Sequence, residues 1–248
     1  MQIKLEKVSF KNLKNLSFDI NDKKITGIVS SDIKDLINLN YIILNNIKDE
    51  GNIKYSTRFS KKNIGIVSIS NFDDMISGKV SEYINQEIND SLFDILEINK
   101  NILEKNINIL SNTEKVKILF LKCLNSNYET ILINGIFEEL DSNMRKKFIK
   151  LILNLKKFND KTIIVSSTNV DIIYEFVDDL ILIVNGESLT CNNKFSIYNN
   201  VNNPKVRKPF IKQIEDMVYN KSNINLGNND TINELIKAIY REIRWYND

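Results

Sequence analysis

Two adjacent residues, Asn134 and Gly135, occupy the place where this chain would carry hydrolytic chemistry. They follow the apolar run Thr130-Ile131-Leu132-Ile133, which reads as a short buried strand. An aspartate at the mouth of such a strand can hold magnesium, and a glutamate beside it can activate water. Hard cations favour charged oxygen, so the amide of Asn134 is a poor replacement, and Gly135 has no side chain to act as a base. The pair predicts a catalytic frame without catalytic groups and without a metal.

Composition narrows the remaining chemistry. The chain has 248 residues, enough for one or two domains with a sizeable core. Its 34 Lys and Arg against 32 Asp and Glu leave a net charge of +2, so no global field recruits nucleic acid or anionic lipid. There is no histidine, which excludes Ser-His-Asp and Cys-His nucleophile systems and histidine-ligated metals. Cys123 and Cys191 are far apart and form no ligand pattern, as expected in a reduced cytosol. The first ten residues alternate charged and apolar side chains like a strand rather than a signal peptide. No apolar stretch approaches the roughly 20 residues that span a membrane.

The elements that would position these residues follow from periodicity. Strands are expected at 3–10, 16–20, 25–29, 51–55 and 64–69, with a helix at 33–44 and a polar, mostly helical stretch at 81–105. Helix and strand then alternate: helix 113–124, strand 130–133, helix 143–158, strand 162–166, helix 170–177, strand 180–184. That alternation predicts a parallel α/β sheet. Pro204 and Pro209 bracket a linker. Two amphipathic helices follow, with Phe210, Ile211, Ile214, Met217 and Val218 on one inward face and Ile232, Leu235, Ile236, Ile239 and Ile243 on the other. Thr231 and Glu234 have capping-box spacing.

Leu110-Ser111-Asn112-Thr113-Glu114 and its helix, then residues 130–141 and 161–187, resemble the ATP-binding-cassette (ABC) ATPases. The nearest look is the ATPase subunits of energy-coupling-factor (ECF) transporters, and the resemblance covers roughly residues 1–190. It implies a P-loop NTPase-like α/β fold: a mixed sheet with an N-terminal antiparallel β part, a helical subdomain at about 78–124, and a C-terminal helical extension. The expected division is an ABC ATPase-like domain at 1–198 and the extension at 199–248.

The same resemblance assigns roles to positions, and the residues there depart from the pattern. The phosphate loop, G-x-x-G-x-G-K-S/T in the family, is Ser30-Ser31-Asp32-Ile33-Lys34-Asp35-Leu36-Ile37. It has no glycine to turn backbone N–H groups inward. Leu36 and Ile37 replace the phosphate-gripping lysine and the magnesium-binding hydroxyl, and Lys34 is out of frame. Read physically, this is a helix start capped by Ser31 or Asp32, with Asp35 against the positive dipole end. Ile69 stands where a glutamine senses magnesium, and Thr168 where a histidine meets the γ-phosphate. Lys11 and Asn12 replace the aromatic that stacks on adenine. In the signature segment Ser111 either donates to a phosphate held by a partner or caps its own helix with Glu114. Asp141 either contacts an opposing subunit or caps the helix that follows. Glu138 and Glu139 are expected to turn away from the lost base position, and Asp73 and Asp74 to be solvated.

These substitutions predict a catalytically silent ABC-like subunit with no bound cofactor, although the family uses Mg-ATP. The implied partners are another ABC ATPase subunit, as homo- or heterodimer, and a transmembrane transporter subunit whose coupling helix would sit near residues 68–105; nucleic acid is not among them. The implied location is the cytoplasmic face of the cell membrane. Two alternatives stand beside this reading: a divergent but working ATPase, and a soluble regulatory or scaffold protein on the same fold.

Overall fold

The structure is a computed structural model that describes residues 3–56, 63–75, 78–191, 193–198 and 206–247, without the side chains of 73, 74 and 243–247. Alternating burial makes β1 (Ile3–Phe10) and β2 (Leu13–Ile20) an antiparallel hairpin, with Ile3 opposite Ile20. β3 (Ile25–Ser30) is apolar on both faces and enters a second sheet. α1 (Ile33–Asn45) follows, and β4 (Glu50–Tyr55) returns to β1, giving a three-stranded sheet of order β2-β1-β4.

The chain next forms β5 (Ile64–Ser68), α2 (Asn71–Asp74), α3 (Val80–Ile84) and α4 (Ser91–Ile95). Two 3-10 turns, Lys100–Glu104 and Ile107–Ile109, precede α5 (Asn112–Asn125). The stretch expected to be mostly helical is thus broken into short pieces. Asn99 and Asn106 each cap a 3-10 turn with their side chains, which stops longer helices from growing through them. Then come β6 (Thr130–Asn134), α6 (Ser142–Asn159), β7 (Thr162–Ser167), α7 (Val170–Ile173), β8 (Asp179–Val184) and β9 (Glu187–Thr190). The larger sheet has the order β5-β6-β7-β3-β8-β9, parallel except for the last pair.

The sequence predicts the parallel sheet but not two of its details. The helix expected at 170–177 ends at Ile173, because Lys194 takes the carbonyls of Tyr174 (3.0 Å) and Val177 (2.9 Å) into a tertiary contact. β9 escapes the periodicity reading because it is short and half polar. Its signal was Asn185-Gly186, both at positive φ, a hairpin turn that sends the chain back antiparallel along β8.

A strand's side chains alternate between faces, so each central strand feeds two cores. Ile131, Ile133, Ile163 and Val165 join one with α5, α6 and the C-terminal helices; Leu132, Ile164, Ile28 and Ile181 join the other with α1 and the antiparallel sheet. α8 (Phe210–Ser222) and α9 (Ile232–Asn247) lie on the first core through Ile211, Leu235 and Ala238, with Leu226 of the connection between them. Their faces differ from the expected ones. α8 buries Lys212 and Glu215 beside Ile211 and leaves Phe210 and Met217 outside, while α9 exposes Ile232, Ile236 and Tyr240. Ile214, Val218 and Ile239 still pack partly against the core as helical spacing predicts, and the ion pair of Lys212 and Glu215, 2.7 Å apart, is added beside them. Ile243 lies outside the described side chains. The capping box at 231–234 is half formed: Glu234 N–H donates to Thr231 Oγ1, but the Glu234 carboxylate reaches the Asp230 N–H instead. Among the described residues no helix is long and apolar enough to cross a membrane.

Candidate functional site

Parallel strands bring their C-terminal ends to one edge, where α/β sheets bind ligands. Here the register lines up Ser68, Asn134 and Ser166 at the ends of β5, β6 and β7, and Ser30 ends β3 two residues beyond the same row. The phosphate-loop segment, Ile69, Asn134-Gly135 and Thr168 follow these strand ends, whereas Lys11 and Asn12 are in the β1–β2 turn and the signature segment starts α5.

At the end of β3, Asp32 caps α1, its Oδ1 accepting from Lys34 N–H at 2.9 Å. Of the two capping residues the sequence allows, the fold uses Asp32. Ser30 Oγ accepts from Asp32 N–H and donates to Asp35 Oδ2 at 2.6 Å. Asp35 is only 5% exposed. Its other oxygen takes the Asn12 side-chain amide, and Asn12 in turn accepts from Asn38. The chain's own carboxylate therefore sits in the first turn of α1, joined to the β1–β2 turn by a polar chain. Burial is the main cause that holds the Asp35 carboxyl above its ordinary range; the Ser30 hydroxyl pulls the other way, and nearby Asp32 adds to the rise. Leu36 is fully buried in the second core, Ile33 packs partly against it, and Ile37 is half-buried. Ser31 and Lys34 are exposed.

The Lys11 ammonium lies 5.0 Å from the Phe10 ring centroid and 5.8 Å from that of Tyr41.

Asn134 is fully buried and spends its amide on both neighbouring strands. Its Nδ2 donates to Ser68 Oγ at 3.3 Å, and its Oδ1 accepts from Ser166 Oγ at 2.6 Å. Gly135 has φ +66°, and a Cβ there would lie 3.0 Å from Ile69 Cδ1. Ile69 thus roofs the place where a glutamate side chain would leave the backbone.

Glu138 does not turn away. The Phe137–Glu139 3-10 turn aims the Glu138 Oε1 at Ser167 Oγ (2.6 Å) and Thr168 N–H (3.2 Å), so it holds Thr168 from across the edge. Glu139 instead accepts from the Asn112 side-chain amide at 2.7 Å. Counting residues from the strand does not reveal this turn. Nor does it reveal Arg145, which donates to the carbonyls of Phe137 (3.1 Å) and Leu140 (3.1 Å) and straps this loop to α6. The spacing of an arginine one turn into the helix was the available signal.

The remaining motif residues cap helices. Ser111 and Glu114 form a reciprocal capping box on α5, and the Ser111 hydroxyl also donates to the Glu114 carboxylate. The Ser111 backbone N–H, foremost, holds the Glu114 carboxyl below its ordinary range. Asp141 caps α6, accepting from Asn143 and Met144 N–H at 2.9 Å each. Lys117 is not merely solvated: it donates to Glu97 O at 2.9 Å.

A cleft beside this edge is lined by Ser30, Ser31, Thr168, Asn185 and, from the segment after the linker, Val206 and Arg207. It encloses about 50 Å³, against the roughly 300–1,000 Å³ typical of small-molecule sites. Among the described residues no three His, Cys, Asp or Glu side chains gather as a metal-holding group.

Comparison with known proteins follows this geometry. No family model matches the chain. It is 27% identical over 128 residues to the energy-coupling factor transporter ATP-binding protein EcfA of Methanosphaera stadtmanae, an alignment covering 50% of this chain and 46% of that one. The chain therefore matches about half the length of this curated relative. Among solved structures, cbiO1 of Clostridium perfringens, described as part of the ABC transporter complex cbiONQ, superposes with a TM-score of 0.66 at 16% identity, covering 89% of this chain and 95% of that one. A dimeric bacterial ABC transporter cassette superposes with a TM-score of 0.61 at 18% identity over 75% of this chain and 95% of its own.

Proposed function

On the premise that the chain has the ABC ATPase fold and resembles ECF-type ATP-binding subunits, we propose that it is a transporter subunit whose nucleotide site has been closed from within. It serves as the structural or regulatory member of an ABC dimer and does not hydrolyse ATP. The observation that carries this reading is Asp35. A buried carboxylate fills the first turn of α1, where a bound phosphate would need the backbone N–H groups and the positive dipole end. A second anion there meets like charge in a desolvated setting, which is strongly unfavourable.

The residues do not fit Mg-ATP at other points either. Asn134 offers a neutral, already bonded amide, Ile69 covers Gly135, Lys11 lies against the rings of Phe10 and Tyr41, and Thr168 supplies neither a proton carrier nor a cation. Catalysis of phosphoryl transfer rests on positioning and electrostatic stabilisation, and this edge supplies neither. The ECF-type assignment is supported by the sequence likeness to EcfA and by the greater share of the chain matched by cbiO1 than by the dimeric cassette. Such a subunit works at the cytoplasmic face of the membrane, against an intact ABC ATPase and a transmembrane subunit. The C-terminal helices, with Phe210, Met217, Ile232, Ile236 and Tyr240 exposed, extend the contact with the other ATPase subunit.

A thermal melt with saturating Mg-ATP tests the closed site. A binder at about 100 times its dissociation constant gains about 2.7 kcal/mol, or roughly 5–10 °C for a chain of this size; here the melt is expected not to move. A shift of that order favours the divergent working ATPase. Co-expression with an intact ECF ATPase and its membrane subunit tests the assembly: co-purification is expected, and recovery of the chain alone as a soluble monomer favours the scaffold reading.

A further inference from the structure

The geometry points to a relay that joins the loop after β6 to the C-terminal helices through residues 167–171. Glu138 is its first member, accepting from Ser167 Oγ and Thr168 N–H. Ser167 Oγ accepts from Asn169 N–H at 3.0 Å, and Asn169 Oδ1 accepts from Asp171 N–H at 3.1 Å. Asp171 then turns its carboxylate to the extension. Its Oδ2 pairs with Arg207 Nη2 at 2.7 Å, and its Oδ1 takes the Phe210 N–H at 2.7 Å. That second bond matters, because Phe210 opens α8 after Pro209, a helix start with no side-chain cap of its own. Asp171 supplies the missing cap from another element.

Every link is a hydrogen bond or ion pair between consecutive members, and the chain runs from the loop carrying Asp141 to the first turn of α8. Arg207 also lines the cleft beside Ser31 and Thr168, so the strap from Val206 to Phe210 lies over the same edge that Glu138 braces from the other side. A change in how the extension is held is thereby felt at residues 138–141, and the reverse. The relay uses no nucleotide, so it stands or falls separately from the closed-site reading: a melt moved by Mg-ATP would sink that reading and leave the relay intact.

Two backbone amides report on it in the full chain. Thr168 N–H is held by Glu138 and Phe210 N–H by Asp171. Coupling free energies are reciprocal, so each reporter must respond to loss of the far partner. Arg207→Ala and Asp171→Ala are expected to speed exchange at Thr168 by about tenfold, an ordinary size for coupling between sites. Glu138→Ala is expected to do the same at Phe210. A buried β7 amide such as Ile164 should not change, which separates the relay from global loosening. Arg207 and Glu138 are exposed, so those two variants decide the matter even if Asp171→Ala fails to fold. Exchange that rises only at the amide next to each substitution overturns the relay.

Discussion

The polar groups of Asn134 and Asp35 are both taken up by the chain's own side chains. Asn134 bridges Ser68 and Ser166 with both ends of its amide. Asn134→Asp would introduce a metal-type carboxylate, yet it removes the donor to Ser68 and buries a charge with no cation beside it. A destabilisation of about 2 kcal/mol or more is expected by denaturant unfolding, and added magnesium should recover none of it while Ile69 still covers Gly135. Asp35 predicts a pH effect. Its folded-state carboxyl is raised above 3.8, mainly by burial. The folded chain therefore holds this proton more tightly than the unfolded one, and Asp35's favourable contribution is full below its unfolded value and lost as pH rises through its folded value. Asp35→Asn removes that loss, so the stability difference, variant minus parent, should grow more positive with pH across that acidic window and level off above it. A difference that is flat in pH would mean that burial does not perturb this carboxyl.

At the level of elements, β5 lies against α5 with no room to spare. A Cβ on Gly65 would lie 2.3 Å from Cys123 Sγ and 2.6 Å from Tyr128 Cδ2. Cys123 is buried, and desolvation pushes its thiol up to about 12, so it works as a small core residue. Gly65→Ala is expected to cost about 1–3 kcal/mol by overpacking, and Gly65→Ala with Cys123→Ala should recover part of it, read as non-additivity in a double-mutant cycle. Helix starts follow a simpler rule. Asp32, Ser111, Asp141 and Asn169 each cap the element they precede with a local side chain. α8 is capped instead from a distance by Asp171. Local caps are visible in a sequence because donor and acceptor are two or three residues apart; a cap supplied from 39 residues away is not.

Across the whole molecule, the extension is tied down by charges that sequence periodicity placed nowhere. Lys194 is 6% exposed and links the carbonyls after α7 to Asp230, 2.5 Å away, before α9. Lys194→Met keeps the volume but strands two carbonyls, at an expected cost of about 3 kcal/mol, seen as a lower denaturant midpoint at unchanged slope. Asp230 is half exposed, so Asp230→Asn should cost about 1 kcal/mol or less. On the outer side, Ile236 is 43% exposed. Ile236→Lys should leave monomer stability within about 0.5 kcal/mol and weaken pairing with the second ATPase subunit in the same co-purification assay.

Residue pattern alone determined the alternation of strands and helices, the parallel sheet, the likeness to ABC ATPases, and the helix-capping alternatives at Ser111 and Asp141. These are written in local spacing: period two or 3.6, and donors within a turn of their acceptors. Tertiary structure decided the rest. Glu138 reaches Thr168 because a 3-10 turn redirects it, Asp35 closes onto Asn12 because two sheets meet there, and Lys194 stops α7 from a distant loop. Each joins residues that lie tens of positions apart, and such pairs are brought together only when burial of the two cores fixes where the loops lie.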